Sequence, residues 1–191
     1  MWWARLLNNV ISIFDGGTAA STTSFDSIAT VTVGAGGSSS ITFSSIPSTY
    51  THLQIRFMAK ETAVGSGVDG VLLTFNSWSS GYAYHNLYGN GTSAAAQAYT
   101  SQTRIAFDAA PQTSNNGWGV GIIDILDYAN GNKVKTIRTL AGYDANGSGN
   151  IFLNSGSNWT NNNAISSFTL TPQSGNWAQY SSFALYGIKG A

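Results

Sequence analysis

Catalysis needs titratable side chains, and this sequence holds few. Its 191 residues include two histidines, eight acidic and eight basic side chains, and carry a net charge of +0. Charged residues make up 8% of the chain, against roughly 25% in an ordinary globular domain. His52 falls on the polar side of an alternating run. His85 sits inside the aromatic stretch Tyr82-Ala-Tyr-His-Asn-Leu-Tyr88. No H-E-x-x-H, G-x-S-x-G or P-loop pattern accompanies them, so structural or surface roles are expected for both. Glycoside cleavage by paired carboxylates would draw on Asp124, Asp127 and Glu61. The odd separation of Asp124 and Asp127 puts them on opposite faces of a strand, where they share no cleft. They are expected to face solvent or to cap the turn at Asn130.

One loop has the beginnings of a calcium site. Asp144, Asn146 and Ser148 place oxygens at alternate positions, and Gly149 stands sixth, as in an EF-hand loop. The twelfth position is Ser155, where a bidentate Glu is needed, so a polar hairpin loop is the better reading. No catalytic residue, metal site or cofactor is expected. The remaining candidate chemistry is stacking. Trp78, Trp118, Trp159 and Trp177 each lie beside Ser, Asn or Gly. A tryptophan next to amides suits the face of a sugar ring. It equally suits the sealed end of a sandwich or a contact between subunits.

Composition removes several classes. There is no cysteine, which excludes disulfides and thiolate metal sites. No basic surplus exists to displace counterions from nucleic acid. Aromatic residues at 13% are too many for a disordered chain. With little charge, the surface must draw its polarity from hydroxyls and amides. Such neutral surfaces suit copies packed side by side, and they also suit sugars.

The elements that position these residues read as strands. From residue 24 onward the hydrophobic period is two. Residues 28–33 and 40–43 alternate on either side of a Gly-rich turn at 34–37, which predicts a hairpin. Residues 51–58 place Leu53, Ile55 and Phe57 on one face and His52, Gln54 and Arg56 on the other. Further candidate strands cover 70–75, 104–107, 120–128, 133–143, 151–154, 165–171 and 182–188. Asn-Gly pairs at 90–91, 116–117, 130–131 and 146–147 mark turns, and Asn130-Gly131 predicts the most secure hairpin. Ala94 to Ala98 is expected to form a helical turn at most. Roughly nine short strands imply an all-β, antiparallel two-sheet sandwich, preferably a jelly roll, over residues 24–191.

Residues 1–23 differ. Trp2, Trp3, Leu6, Leu7, Val10, Ile11, Ile13 and Phe14 recur at helical spacing, and Asp15-Gly16-Gly17 ends the pattern. A small polar linker follows. Arg5 and Ala19-Ala20-Ser21 have the flavour of a secretory signal, but Asn8-Asn9 interrupt its apolar run. The stretch is also shorter and more polar than the ~20 apolar residues of a membrane span, so no membrane insertion is expected. The favoured reading is an arm, helical or extended, that docks on another protein. Alternatives are a membrane-surface helix and a first strand over residues 9–14 laid on the chain's own sheet.

Three stretches carry a resemblance. They are Ser44-Ser-Ile-Pro-Ser-Thr-Tyr-Thr-His-Leu-Gln-Ile-Arg56, the closing Phe183-Ala-Leu-Tyr-Gly-Ile-Lys-Gly190, and Leu6-Leu-Asn-Asn-Val-Ile-Ser-Ile-Phe14 before its Gly-rich linker. Together they resemble small virion structural proteins of tailed bacteriophages, notably those infecting cyanobacteria and other marine bacteria. The resemblance implies a jelly-roll module on the exterior of a particle, often trimeric, held by its N-terminus to capsid or tail proteins. A head fibre, a capsid decoration protein or a short tail-fibre component would fit. A host glycan is a possible further partner. The resemblance brings no catalytic or ligand residues with it.

Overall fold

A computed structural model describes residues 24–65 and 67–190. The candidate arm residues Trp2, Trp3, Leu6, Leu7, Val10, Ile11, Ile13 and Phe14 lie outside the described residues.

Twelve strands and no helix occur among the described residues: β1 (Phe25–Thr32), β2 (Ile41–Phe43), β3 (His52–Ala59), β4 (Val68–Phe75), β5 (Tyr82–Gly89), β6 (Ala94–Gln102), β7 (Ile105–Pro111), β8 (Gly119–Leu126), β9 (Lys135–Asp144), β10 (Gly149–Asn158), β11 (Phe168–Pro172) and β12 (Ser182–Ile188). They form two antiparallel sheets. The larger has eight strands in the order β1-β12-β3-β8-β9-β10-β5-β6, and the smaller runs β2-β11-β4-β7. Without the two hairpins β5-β6 and β9-β10, the orders are β1-β12-β3-β8 and β2-β11-β4-β7. Chain-consecutive strands of that set alternate between the sheets except for β4 and β7, which are neighbours in the smaller one, and this is the double Greek key of a jelly roll. The two hairpins extend one sheet only.

Alternation places the core. Leu53, Ile55 and Phe57 of β3, Ile123 and Ile125 of β8, and Phe183 and Leu185 of β12 point inward and are buried. They meet Val71, Leu73 and Phe75 of β4, Phe107 of β7, and Phe168 and Leu170 of β11 in one cluster. The extended half of the large sheet has a different lining. There Asn86, Thr139 and Asn154 are buried on the inner side. Asn154 Nδ2 donates to Asn86 Oδ1 at 2.5 Å and to Ala106 O of β7 at 3.4 Å. Strand β7 lies over this half, and Asn154 ties the sheet to it among the buried side chains of Ile137, Phe152 and Tyr84.

Several expectations are corrected here. Strands β1 and β2 do not pair, because β1 lies against β12 and β2 against β11. The Gly-rich residues 34–37 therefore carry the chain from one sheet to the other. Gly36 and Gly37 adopt positive φ there, and a Cβ on Gly37 would meet the Trp177 carbonyl at 2.7 Å. Ala94 to Ala98 belongs to β6, whose pairing with β5 overrides alanine's helical preference. The β8-β9 hairpin exists, but residues 127–134 connect it. The reversal begins at Asp127, at φ 48°, with Asn130 N–H donating to Asp127 O. The β9-β10 hairpin is the tight one: Asn146 (φ 59°) and Gly147 (φ 89°) form its corner, as their turn chemistry demands.

Candidate functional site

Among the described residues, the feature least like an ordinary monomer surface is the solvent face of the eight-stranded sheet. Register aligns its side chains into rows. One row crosses from β8 to β6 as Ile122, Leu140, Leu153, Leu87 and Ala96. A neighbouring row holds Met58, Val120, Gly142 and Ile151. These side chains are open to solvent: Leu140 is 53% exposed, Leu87 50% and Ile151 66%. The apolar stripe thus crosses five strands outside the core. Contiguous exposed hydrocarbon of this kind marks an interaction surface, whereas isolated exposed leucines do not.

The face is hollowed in two places. A trough of about 950 Å³ lies over Val120, Ile122, Leu140 and Ile151, with Trp118, Tyr143 and the turns at 89–91 and 147–150 as its rim. Gly142 keeps its floor low. A Cβ there would meet the Asn150 carbonyl at 2.4 Å. A second hollow of about 690 Å³ lies over Leu87, Ala96, Ala98 and Leu153, beside His85 and Arg138.

Polar groups flank the stripe in a single chain of hydrogen bonds. Gln54 Nε2 donates to Asp124 Oδ1 at 2.8 Å, Arg138 Nη2 donates to Asp124 Oδ2 at 3.0 Å, and Arg56 Nε donates to Gln54 Oε1 at 2.9 Å. The Arg56 guanidinium also lies over the Phe25 and Tyr186 rings, 5.4 and 5.6 Å from their centroids. This raises a small ridge at the β1 side of the face.

The four candidate tryptophans do not converge. Trp118 stands half-buried at the trough. Trp159 is 67% exposed at the far end of β10, where its N–H donates to Gly81 O. Trp78 packs edge-on against Phe75 near that same end, with centroids 6.2 Å apart. Trp177 is corrected outright as a candidate glycan contact: it is fully buried, donates its indole N–H to Leu170 O at 3.1 Å, and packs on Phe183. Its loop pairs with Ser38 and Glu61, so the indole closes an end of the core.

The titratable candidates also stand apart. His52 and His85 lie on β3 and β5, with three strands between them. His52 Nδ1 accepts the Asp127 N–H at 3.0 Å. Asp127 lies past the end of β8, so strand alternation does not govern it and the expected opposition to Asp124 does not apply. Its carboxylate is held below the usual range chiefly by Lys133, which lies 2.5 Å away. Asp144 Oδ1 accepts the Asn146 N–H at 2.8 Å inside its hairpin loop. No group of three or more His, Cys, Asp or Glu among the described residues is placed to hold a metal ion.

Sequence reasoning missed one carboxyl pair. Glu61 is fully buried, and burial, then its hydrogen bond and proximity to Asp69, push it up to about 8. Burial acts on Asp69 in the same upward sense, but hydrogen bonds from Glu61, Ser174 and Gln112 hold it below the usual carboxylate range. Glu61 Oε2 accepts the Ser174 N–H at 3.4 Å, and its Oε1 is buried with no hydrogen-bond partner among the described residues. Eight residues separate the two, and only the turn from β3 into β4 brings them together, so no local motif announces the pair.

Comparison with family models, with curated proteins and with solved structures finds no match to this chain.

Proposed function

We propose that this chain is a non-enzymatic structural protein of a bacteriophage virion. Residues 1–17 anchor it to capsid or tail proteins, and the sandwich is displayed on the particle's exterior as a homo-oligomer. A head fibre, a capsid decoration protein and a short tail-fibre component all answer this description. The observation that supports an assembly role best is the apolar row across five strands on the solvent face. It offers surface to a protein and no convergent acid, base or nucleophile to a substrate. The sequence resemblance supplies the virion setting, and the apolar arm supplies a tether of the right chemistry. Several arms presented together would turn weak docking into durable attachment.

The test removes residues 1–17. The truncated protein should remain folded and soluble, with an unchanged far-ultraviolet circular dichroism spectrum, yet be missing from particles assembled in its presence. Normal incorporation, measured by mass spectrometry of purified particles, would refute the anchor.

A second reading has its own observation. Trp118 and Tyr143 line a trough edged by Asn90 and Asn150, which combines stacking faces with amides. On this reading the face recognises host surface glycans. Trp118→Ala should then weaken binding on a glycan array without unfolding the domain, and a parent protein with no signal above background would remove the reading.

A further inference from the structure

We infer that the solvent face of the eight-stranded sheet is the contact surface for a second copy of this chain, packed face to face about a twofold axis. The axis would lie in the interface, parallel to the strands, between β8 and β9.

Three observations point to this occupant. The first is charge complementarity. Asp124 and Arg138 occupy one row on adjacent strands β8 and β9. A twofold axis between these strands sets Asp124 opposite Arg138 of the second copy, and Arg138 opposite Asp124. The face therefore matches itself, and the chain's net charge of +0 leaves no overall repulsion to overcome.

The second is shape. An axis parallel to the strands keeps each row opposite the same row, so β8 meets β9, β3 meets β10, and β12 meets β5. Met58 then faces Ile151 of the second copy, and Ile122 faces Leu140. Val120 enters the hollow above Gly142, where no side chain stands. On the same rows, Arg56 of β3 faces Leu153 of β10 and Tyr186 of β12 faces His85 of β5, both at the second hollow. Val120 over Gly142 sets bulk against vacancy, while Met58 over Ile151 and Ile122 over Leu140 set hydrocarbon against hydrocarbon, so the face is complementary to itself there.

The third is area. Eight strands at ~4.8 Å spacing and about eight residues at ~3.3 Å rise make a face of roughly 900 Å². A stable pair buries about 800 Å² on each partner, which a face of this extent can supply.

This inference stands on the face alone and does not depend on the virion setting or on residues 1–17. The test uses the full-length chain. Sedimentation velocity should give the mass of an assembly for the parent protein and of a monomer for Leu140→Glu, with the circular dichroism spectrum unchanged. A second variant keeps the test decisive should the charged one misfold. The chain has no cysteine, so Met58→Cys with Ile151→Cys introduces the only thiols. Within one chain these positions lie three strand spacings apart, about 14 Å, whereas facing sheets pack about 10 Å apart, so a bifunctional maleimide that reaches no further than about 10 Å joins the pair only across the interface. Cross-linking should therefore yield a covalent dimer, and neither single variant should match it. A monomeric parent protein, or a double variant that the short maleimide links into no covalent dimer, would overturn the inference. So would an assembly that survives folded Leu140→Glu; that result would assign the contact to another part of the chain and leave the anchor reading standing.

Discussion

The two faces of the eight-stranded sheet are built from alternate residues of the same strands, and their hydrocarbon has opposite fates. On the inner side Ile123, Ile125, Ile137 and Phe152 are buried against the smaller sheet or beneath β7. On the outer side Ile122, Leu126, Leu140 and Leu153 keep more than a third of their surface in water. An antiparallel sheet with one wetted face ordinarily alternates apolar and polar residues. Strand β8, GVGIIDIL, breaks that rule with aliphatic side chains on both sides. Its inner aliphatics serve folding of the single chain. Its outer ones add nothing to that core and gain only when something covers them.

The largest test of this contrast removes inner bulk. Trp177→Ala empties a fully buried site between Phe183 and Leu170 and costs about 3–5 kcal/mol, read from chemical denaturation. A cost near that of a surface substitution would show that the end of the core is looser than its packing implies.

The buried carboxyl pair sharpens the contrast through pH. Glu61 holds its proton up to about pH 8 in the folded chain and loses it near 4.5 when unfolded. The native state therefore binds more protons across that window. Stability contributed by the protonated Glu61 falls as pH rises from about 4.5 to about 8, then levels off. Asp69, shifted the other way, contributes stability that is lost as pH falls below its ordinary range. Glu61→Gln should flatten the decline in denaturation midpoint between about pH 4.5 and about 8 and leave the decline at lower pH in place. An unchanged decline would mean that Glu61 does not hold this proton.

Within the inner face, the extended half is the polar one. Asn154→Ala leaves Asn86 without its amide donor and costs about 1–3 kcal/mol. Thermal denaturation would show whether β7 alone can shelter that amide: a loss near zero would place water over it.

Much of the fold was legible because period-two alternation states which side of a strand is apolar. Leu53, Ile55 and Phe57 gave up the inner face of β3 at once, and the aliphatics of β9 and β12 did the same. Partners were less legible than strands. Residues 34–37 carry the signal of a hairpin, yet the same glycines serve a crossing between sheets, and local chemistry does not distinguish a turn from a bridge. Alanines 94–96 and Ala98 carry helical propensity, which β5 overrides. The tryptophans show the limit most plainly: Trp177 and Trp159 both directly follow an Asn, yet one is core and the other open to solvent. The outer stripe was invisible for a related reason. Its row of five residues spans β8, β9, β10, β5 and β6, so it exists only once the register of five strands is set.

The smallest expected effect is the most discriminating. Leu140→Ser removes an aliphatic side chain of the same size as Leu185, which is fully buried on the inner side. In the dilute single chain Leu140 is half in water, so its loss should alter unfolding free energy by no more than about 0.5 kcal/mol, as at other surface positions. Leu185→Ala should cost about 2–5 kcal/mol in the same measurement. Denaturation repeated at rising protein concentration separates the two roles. Mass action makes an assembled protein harder to unfold as concentration increases, and that dependence should vanish in Leu140→Ser while persisting in Leu185→Ala. If Leu140→Ser instead costs several kcal/mol at the lowest concentration, its side chain is covered within the single chain.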